Sequence, residues 1–136
     1  MKKHLTKIIT FSVMLGMMAC KQEVESFEIL DFTTFNNQIS EKRDIASPEA
    51  LILRYYNWPE AEGEADIKVE SKAVGDNIYA ITMIHDHLKD DSVFGIKLQM
   101  RAKKNNDGSW QVKTLKKNWR CRENRGSTEW GVSLCY

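Results

Sequence analysis

The chain has 136 residues, 42% of them apolar and 29% charged, with 20 Lys and Arg against 19 Asp and Glu. That length fits one folded domain. The near-even balance excludes a disordered polar tract, a polytopic membrane protein and the basic excess of a nucleic-acid-binding domain.

Met1-Lys2-Lys3-His4 and Lys7 form a positively charged start, and Ile8 to Ala19 form an apolar run. At about twelve residues the run is well short of the roughly twenty that a spanning helix needs, so residues 1–19 read as a signal peptide. The run ends in Met17-Met18-Ala19-Cys20, which resembles the lipobox of bacterial lipoproteins. The resemblance implies cleavage before Cys20, lipidation of its thiol and attachment to the envelope membrane. Two or three acyl chains, at about 0.8 kcal/mol per buried methylene, hold a protein stably where one would not. Met17 stands where leucine is usual, and a leader cleaved without lipidation would give a soluble exported form. Lys21-Gln22-Glu23-Val24-Glu25 is short, polar and acidic; it looks like the tags that direct some Gram-negative lipoproteins to the outer membrane.

Without residues 1–19 the chain carries 17 basic and 19 acidic groups, unevenly placed. Residues 20–66 hold four basic and eleven acidic groups, and residues 67–136 hold thirteen basic and eight acidic. A solvated sheet face accounts for the basic part, and so does a surface for an anionic partner such as a polysaccharide, a lipid headgroup or an acidic protein.

Residues 20–45 read as a tether followed by an N-terminal segment, helical or extended, that lays Phe27, Ile29, Leu30, Phe32, Phe35 and Ile39 across the domain. The domain proper is 46–136. Ser47-Pro48-Glu49 predicts a helix start, with Ser47 as N-cap, Pro48 at the first helical position and Glu49 at the positive end of the dipole. The helix should run to about Asn57 and stop before Trp58-Pro59. Leu51, Tyr55 and Trp58 share one face and Ile52 and Tyr56 the next, a stripe suited to lying on a sheet.

From Asp66 the period changes to that of strands. Four runs are expected: Ile67–Val74, Ile78 to about His87, Ser92–Lys104 and Ser109 to about Arg120. Gly75-Asp76-Asn77, Lys89-Asp90-Asp91 and Asn105-Asn106-Asp107-Gly108 separate them. In the third run Phe94, Ile96, Leu98, Met100 and Ala102 alternate with Lys97, Gln99, Arg101 and Lys103. Short loops imply antiparallel neighbours. The expected class is α+β: an N-terminal helix packed on a curved four-stranded antiparallel sheet. This order is similar to the cystatin-like or nuclear-transport-factor-like roll, in which Gly95 would mark a bulge or bend.

Cys121 and Cys135 are an even pair in an exported chain, which reads as a disulfide closing a C-terminal loop. Residues 109–135, with Ser109-Trp110-Gln111-Val112, Trp119-Arg120-Cys121-Arg122, Arg125-Gly126, Trp130 and Cys135, resemble the end of a group of small uncharacterised exported bacterial proteins. Asp90-Asp91-Ser92-Val93 looks like the start of their preceding strand. Asn124 stands where those have glycine and Ser127 where they have histidine. The resemblance implies a roll with a clamped loop and no activity.

His85-Asp86-His87, with Asp90 or Asp91 nearby, is the one cluster with metal-ligand chemistry. Two histidines at a strand end are also ordinary polar residues, and nothing nominates further ligands. No nucleotide, phosphate-loop or catalytic-elbow motif occurs, and no cofactor is implied. A roll can house acid/base catalysis on a raised-pKa carboxylate, for which Asp31, Glu49 or Glu70 with Tyr55, Tyr56, Tyr79 or His85 are candidates. Trp119 and Trp130 with Arg120, Arg122 and Arg125 could form a binding platform. Trp110 and Trp58 fit the core. The chain thus reads as a membrane-anchored envelope lipoprotein acting by binding, to an envelope protein or a small molecule and not to nucleic acid. A cone-pocket enzyme is the alternative, and dimerisation through the sheet is open.

Overall fold

A computed structural model of the chain describes residues 24–57 and 66–136. The stretch expected to be a signal peptide, Cys20, Lys21 to Glu23, Trp58 and Pro59 lie outside the described residues. The class is α+β: strand β1 (Glu28–Ile29), helices α1 (Thr33–Ile39) and α2 (Pro48–Tyr56), then strands β2 (Asp66–Gly75), β3 (Ile78–Asp86), β4 (Val93–Lys104) and β5 (Trp110–Cys121). The strands form one antiparallel sheet in the order β1-β5-β4-β3-β2.

Helix α2 forms where its sequence signals put it. The Ser47 hydroxyl accepts from the Ala50 amide at 3.1 Å, satisfying an amide that the first turn leaves without a partner. At the other end Asn57 turns left-handed, φ 45°, and ends the helix before Trp58-Pro59 is reached. Leu51 and Ile52 are fully buried against Ile81, Met83, Leu98, Met100 and Leu115 of the sheet. Trp110 joins this core and donates its indole N–H to the Ile45 carbonyl at 2.9 Å, so its polar atom is not stranded.

Two expectations are corrected. The sheet has five strands, not four, because Glu28 and Ile29 pair with Lys117 and Lys116 and cover part of the free edge of β5. Phe94 leaves the apolar stripe of β4, because the register shifts between Val93 and Gly95. The bulge sends the Phe94 ring to His87, 4.8 Å between centroids, and to the Arg120 guanidinium at 4.7 Å. Gly95 follows the bulge, and a Cβ there would lie 2.2 Å from an Asp86 carboxylate oxygen. Any larger residue would force that carboxylate, which is bonded to Arg120, to shift.

The helices and the apolar stripe occupy one face of the sheet. The second face carries Asp66, Lys68, Glu70 and Lys72 of β2, Thr82, Ile84 and Asp86 of β3, Lys97, Gln99, Arg101 and Lys103 of β4, and Thr114, Lys116, Asn118 and Arg120 of β5, aligned by the ladder register.

Candidate functional site

Functional chemistry has two places to be: the interior between helices and sheet, and the second face. The interior is filled. The buried polar or charged residues among those described are His85, Lys97, Ser109 and Asn118; Lys97 and Asn118 belong to the second face, and Ser109 lies in the β4–β5 loop near α1. Asp31 lies outside the core and accepts from the Thr33 amide, which together with the Thr33 hydroxyl holds its carboxyl below the ordinary value. Glu49 accepts from the Ser71 hydroxyl, and that bond likewise keeps its pKa low. Glu70 is exposed on β2. A carboxylate poised as a proton donor at neutral pH needs the opposite shift, so neither Asp31 nor Glu49 is tuned for acid catalysis.

His85 is buried and its Nδ1 lies 2.7 Å from the Tyr56 hydroxyl, with the two rings edge to face. His87 falls past the end of β3 at φ 56° and turns outward, where Nδ1 meets Asp66 at 2.9 Å. The left-handed residue thus breaks the alternation that would have put both imidazoles on one face. Among the described residues no group of three or more His, Cys, Asp or Glu is placed to hold a metal ion.

Burial pushes the His85 imidazole below its ordinary value, against the opposing pull of Asp66 and Asp86, and pushes the Tyr56 phenol up to about 12. Just below pH 6.5 the unfolded chain therefore binds more protons at this position than the folded one. Stability from this histidine is present above that pH and is lost on acidification below it. Unfolding free energies at about pH 7 and about pH 5.5 check this. The wild type should weaken by at most about 1.4 kcal/mol per pH unit, the limit for one proton, while His85→Gln loses that slope. Equal slopes would contradict it.

The second face is built differently. Lys97, in the middle of β4, has a side chain only 9% exposed and is salt-bridged at 2.8 Å to Glu25 from the N-terminal segment. Asn118 beside it donates to Glu25 and to the Ser26 carbonyl. Burial raises the Glu25 pKa, but the hydrogen bonds from Lys97 and Asn118 outweigh it and the carboxyl ends below its ordinary value. Lys116 lies 4.2 Å over the Phe27 ring, so residues 25–29 run across this face and are fastened at several points.

From the other side comes the C-terminal loop. The Cys121–Cys135 disulfide ties it to the end of β5 with the two Cα atoms 5.5 Å apart. Gly131 exchanges backbone hydrogen bonds with Trp119, and Trp130 lies over Lys97 at 4.4 Å and over Arg120 at 4.8 Å. Gly126 sits at φ 137°, and a Cβ there would meet the Cys121 sulfur at 2.7 Å, so the loop can close over the bridge only with glycine.

Of the expected platform of Trp119, Arg120, Arg122, Arg125 and Trp130, Trp130 and Arg120 meet at 4.8 Å, Trp119 alternates to the other face of β5, and the donors are used inside the molecule. Arg120 pairs with Asp86 at 2.8 Å. Arg122 donates to the carbonyls of Asp90 and Leu88 and so fixes the β3–β4 loop. Arg125 reaches the Tyr136 carbonyl and Trp119 donates to that of Ser133. On the second face Lys68, Lys72, Arg101, Lys103 and Lys116 have no carboxylate of the described residues in salt-bridge reach. Around Arg101 and Lys116 the face dips into a groove of about 540 Å³ lined also by Ile29, Thr82, Gln99 and Thr114. The ladder register gathers this cationic surface from β2, β4 and β5, apart from the arginines that follow β5.

No helix among the described residues is long and apolar enough to cross a membrane. Compared with known proteins, the chain matches no family model, no curated relative and no solved structure.

Proposed function

We propose that the chain is a lipid-anchored lipoprotein of the bacterial outer membrane, built on a cystatin-like roll, that works as a non-catalytic binding module for an anionic partner. The observation that carries the reading is how the three cysteines are used. Cys121 and Cys135 are joined, a state that persists in an oxidising compartment, and Cys20 is left as the thiol at the end of the apolar leader. The roll is supported by a helix lying on one face of an antiparallel sheet whose strands shift register at Gly95 and again between Arg101 and Ala102. Asn124 supports the likeness to the exported group: it adopts φ 62° where that group has glycine, and asparagine is among the few residues that accept this conformation.

The filled interior favours binding over catalysis, because Leu51, Ile52, Met83 and Met100 occupy the space a cone pocket would need. The second face supplies the surface for the partner. Intact mass of the protein purified from its native envelope tests the reading. It should give a chain starting at Cys20, heavier by the acyl groups and lighter by two hydrogens for the bridge. A chain starting at Met1, or one with three free thiols, would overturn it.

A further inference from the structure

We infer that the cationic second face is a membrane-docking surface, and that its partner is the anionic phospholipid headgroup layer of the bilayer that holds the anchor. The inference rests on the lipid-anchor reading and names the partner of the face described above.

Three observations lead to it. The first is where the chain leaves the structure. Glu25 is clamped to Lys97 and Asn118 on the second face, and Phe27 lies under Lys116 on the same face. Val24 is only four residue steps from Cys20, with Lys21, Gln22 and Glu23 between them. Fully extended, four residues reach about 14 Å. An acylated Cys20 therefore cannot leave the neighbourhood of this face, and the face is turned toward the bilayer, not away from it.

The second observation is charge. Lys68, Lys72, Arg101, Lys103 and Lys116 are unpaired on this face; with Lys97 and Arg120 it holds seven cations against four carboxylates, Glu70 and the bonded Glu25, Asp66 and Asp86. The helix side is not basic: residues 31–57 carry four acidic and three basic groups. Each lysine or arginine held near an anionic bilayer attracts it, and the attraction adds over a cluster. The third observation is that the residues nearest the exit are apolar and open. Val24 is 93% and Ile29 77% exposed, and Ile29 rims the groove beside Lys116. Such side chains can enter the headgroup region while the cations meet phosphate.

The acyl chains and the face then act together. A second contact at high effective concentration adds to the first without any new affinity in the anchor, and it fixes which side of the domain looks outward. The helix side, with Arg54, Asp44 and Glu41, becomes the surface presented to the aqueous compartment.

The test uses two forms of the protein. The native acylated chain is reconstituted into zwitterionic vesicles, or into vesicles with about a third phosphatidylglycerol, and labelled briefly with a membrane-impermeant amine reagent. Lys68, Lys72 and Lys103 should label several-fold more slowly in the anionic vesicles, recover in high salt, and contrast with Lys42 and Lys89, which should not change. The Cys20→Ser chain, lacking acyl groups, should co-sediment with anionic vesicles at low salt. The combined substitution Lys68→Gln, Lys72→Gln, Arg101→Gln and Lys103→Gln should lower that partition on the order of a thousandfold at low salt, with circular dichroism confirming the fold.

If the native chain carries no lipid, the anchor reading fails and the vesicle partition of the unacylated chain alone decides the docking face. If the native chain is lipidated, yet its lysines label alike in both vesicles and the unacylated chain ignores phosphatidylglycerol, the docking face is overturned while the anchor stands. Retention of that chain by polyglutamate but not by anionic vesicles would likewise overturn it in favour of an acidic protein.

Discussion

Replacing Cys121 and Cys135 together by serine is expected to lower the unfolding free energy by about 3 kcal/mol, the chain-entropy value for a loop of about fifteen residues. The two cysteines are 14 residues apart in sequence. Between them the chain has no helix or strand, only the single bridge of Gly131 to Trp119. The rest of the segment is held by scattered backbone and side-chain hydrogen bonds and by the Trp130 contacts, to which the covalent tie adds the loop-closure entropy. A domain of this size has on the order of 5–15 kcal/mol in total, which makes the loss a large fraction of its stability.

The consequences extend past the loop. With the tie removed, Trp130 is no longer held over Lys97 and Arg120, and Lys97 becomes open to solvent. Urea unfolding of the oxidised wild type, the reduced wild type and the double variant checks this. The last two should agree, with midpoints well below the first, and their near-ultraviolet tryptophan signal should change before global unfolding. A loss under about 1 kcal/mol would mean that the loop is held by packing instead.

How much of this was legible in the sequence varies by element. Helix α2 was readable because its ends are written locally, in a capping serine followed by proline. The four long strands were readable because Gly75-Asp76-Asn77 and Asn105 to Gly108 punctuate alternating runs. Helix α1 was not: it is 7 residues long, its N-cap Phe32 makes no side-chain bond, and neither end carries a charge suited to the dipole. It forms because Phe35 and Ile39 bury themselves on the sheet, which is tertiary packing and not propensity. Strand β1 has only two residues and is specified by the edge of β5 that it pairs with, so no local pattern announces it.

The site was harder still. Alternation placed Lys97 among solvated polar residues, and its burial depends on Glu25 and Trp130, which are remote in sequence. Phe94 read as core until a bulge rotated it out. The arginines of the C-terminal loop looked available because their partners are backbone carbonyls, and sequence patterns carry no information about which carbonyls a fold leaves open. The cationic face emerges only when β2, β4 and β5 are set in register.

Cys20→Ser is expected to have the largest effect on where the protein is found. Two or three acyl chains each bury more than a dozen methylenes at about 0.8 kcal/mol apiece, which makes release from the bilayer negligible on cellular timescales. On the proposed anchor, removing the thiol removes all of that at once and leaves only the proposed docking face, whose attraction to headgroups would be screened by salt. The measurement is envelope fractionation with a high-salt wash, comparing wild type and Cys20→Ser. The wild type should stay in the membrane pellet until detergent is added, and the variant should leave it during the wash. A variant that stays in the washed pellet as the wild type does would contradict a lipid anchor at Cys20.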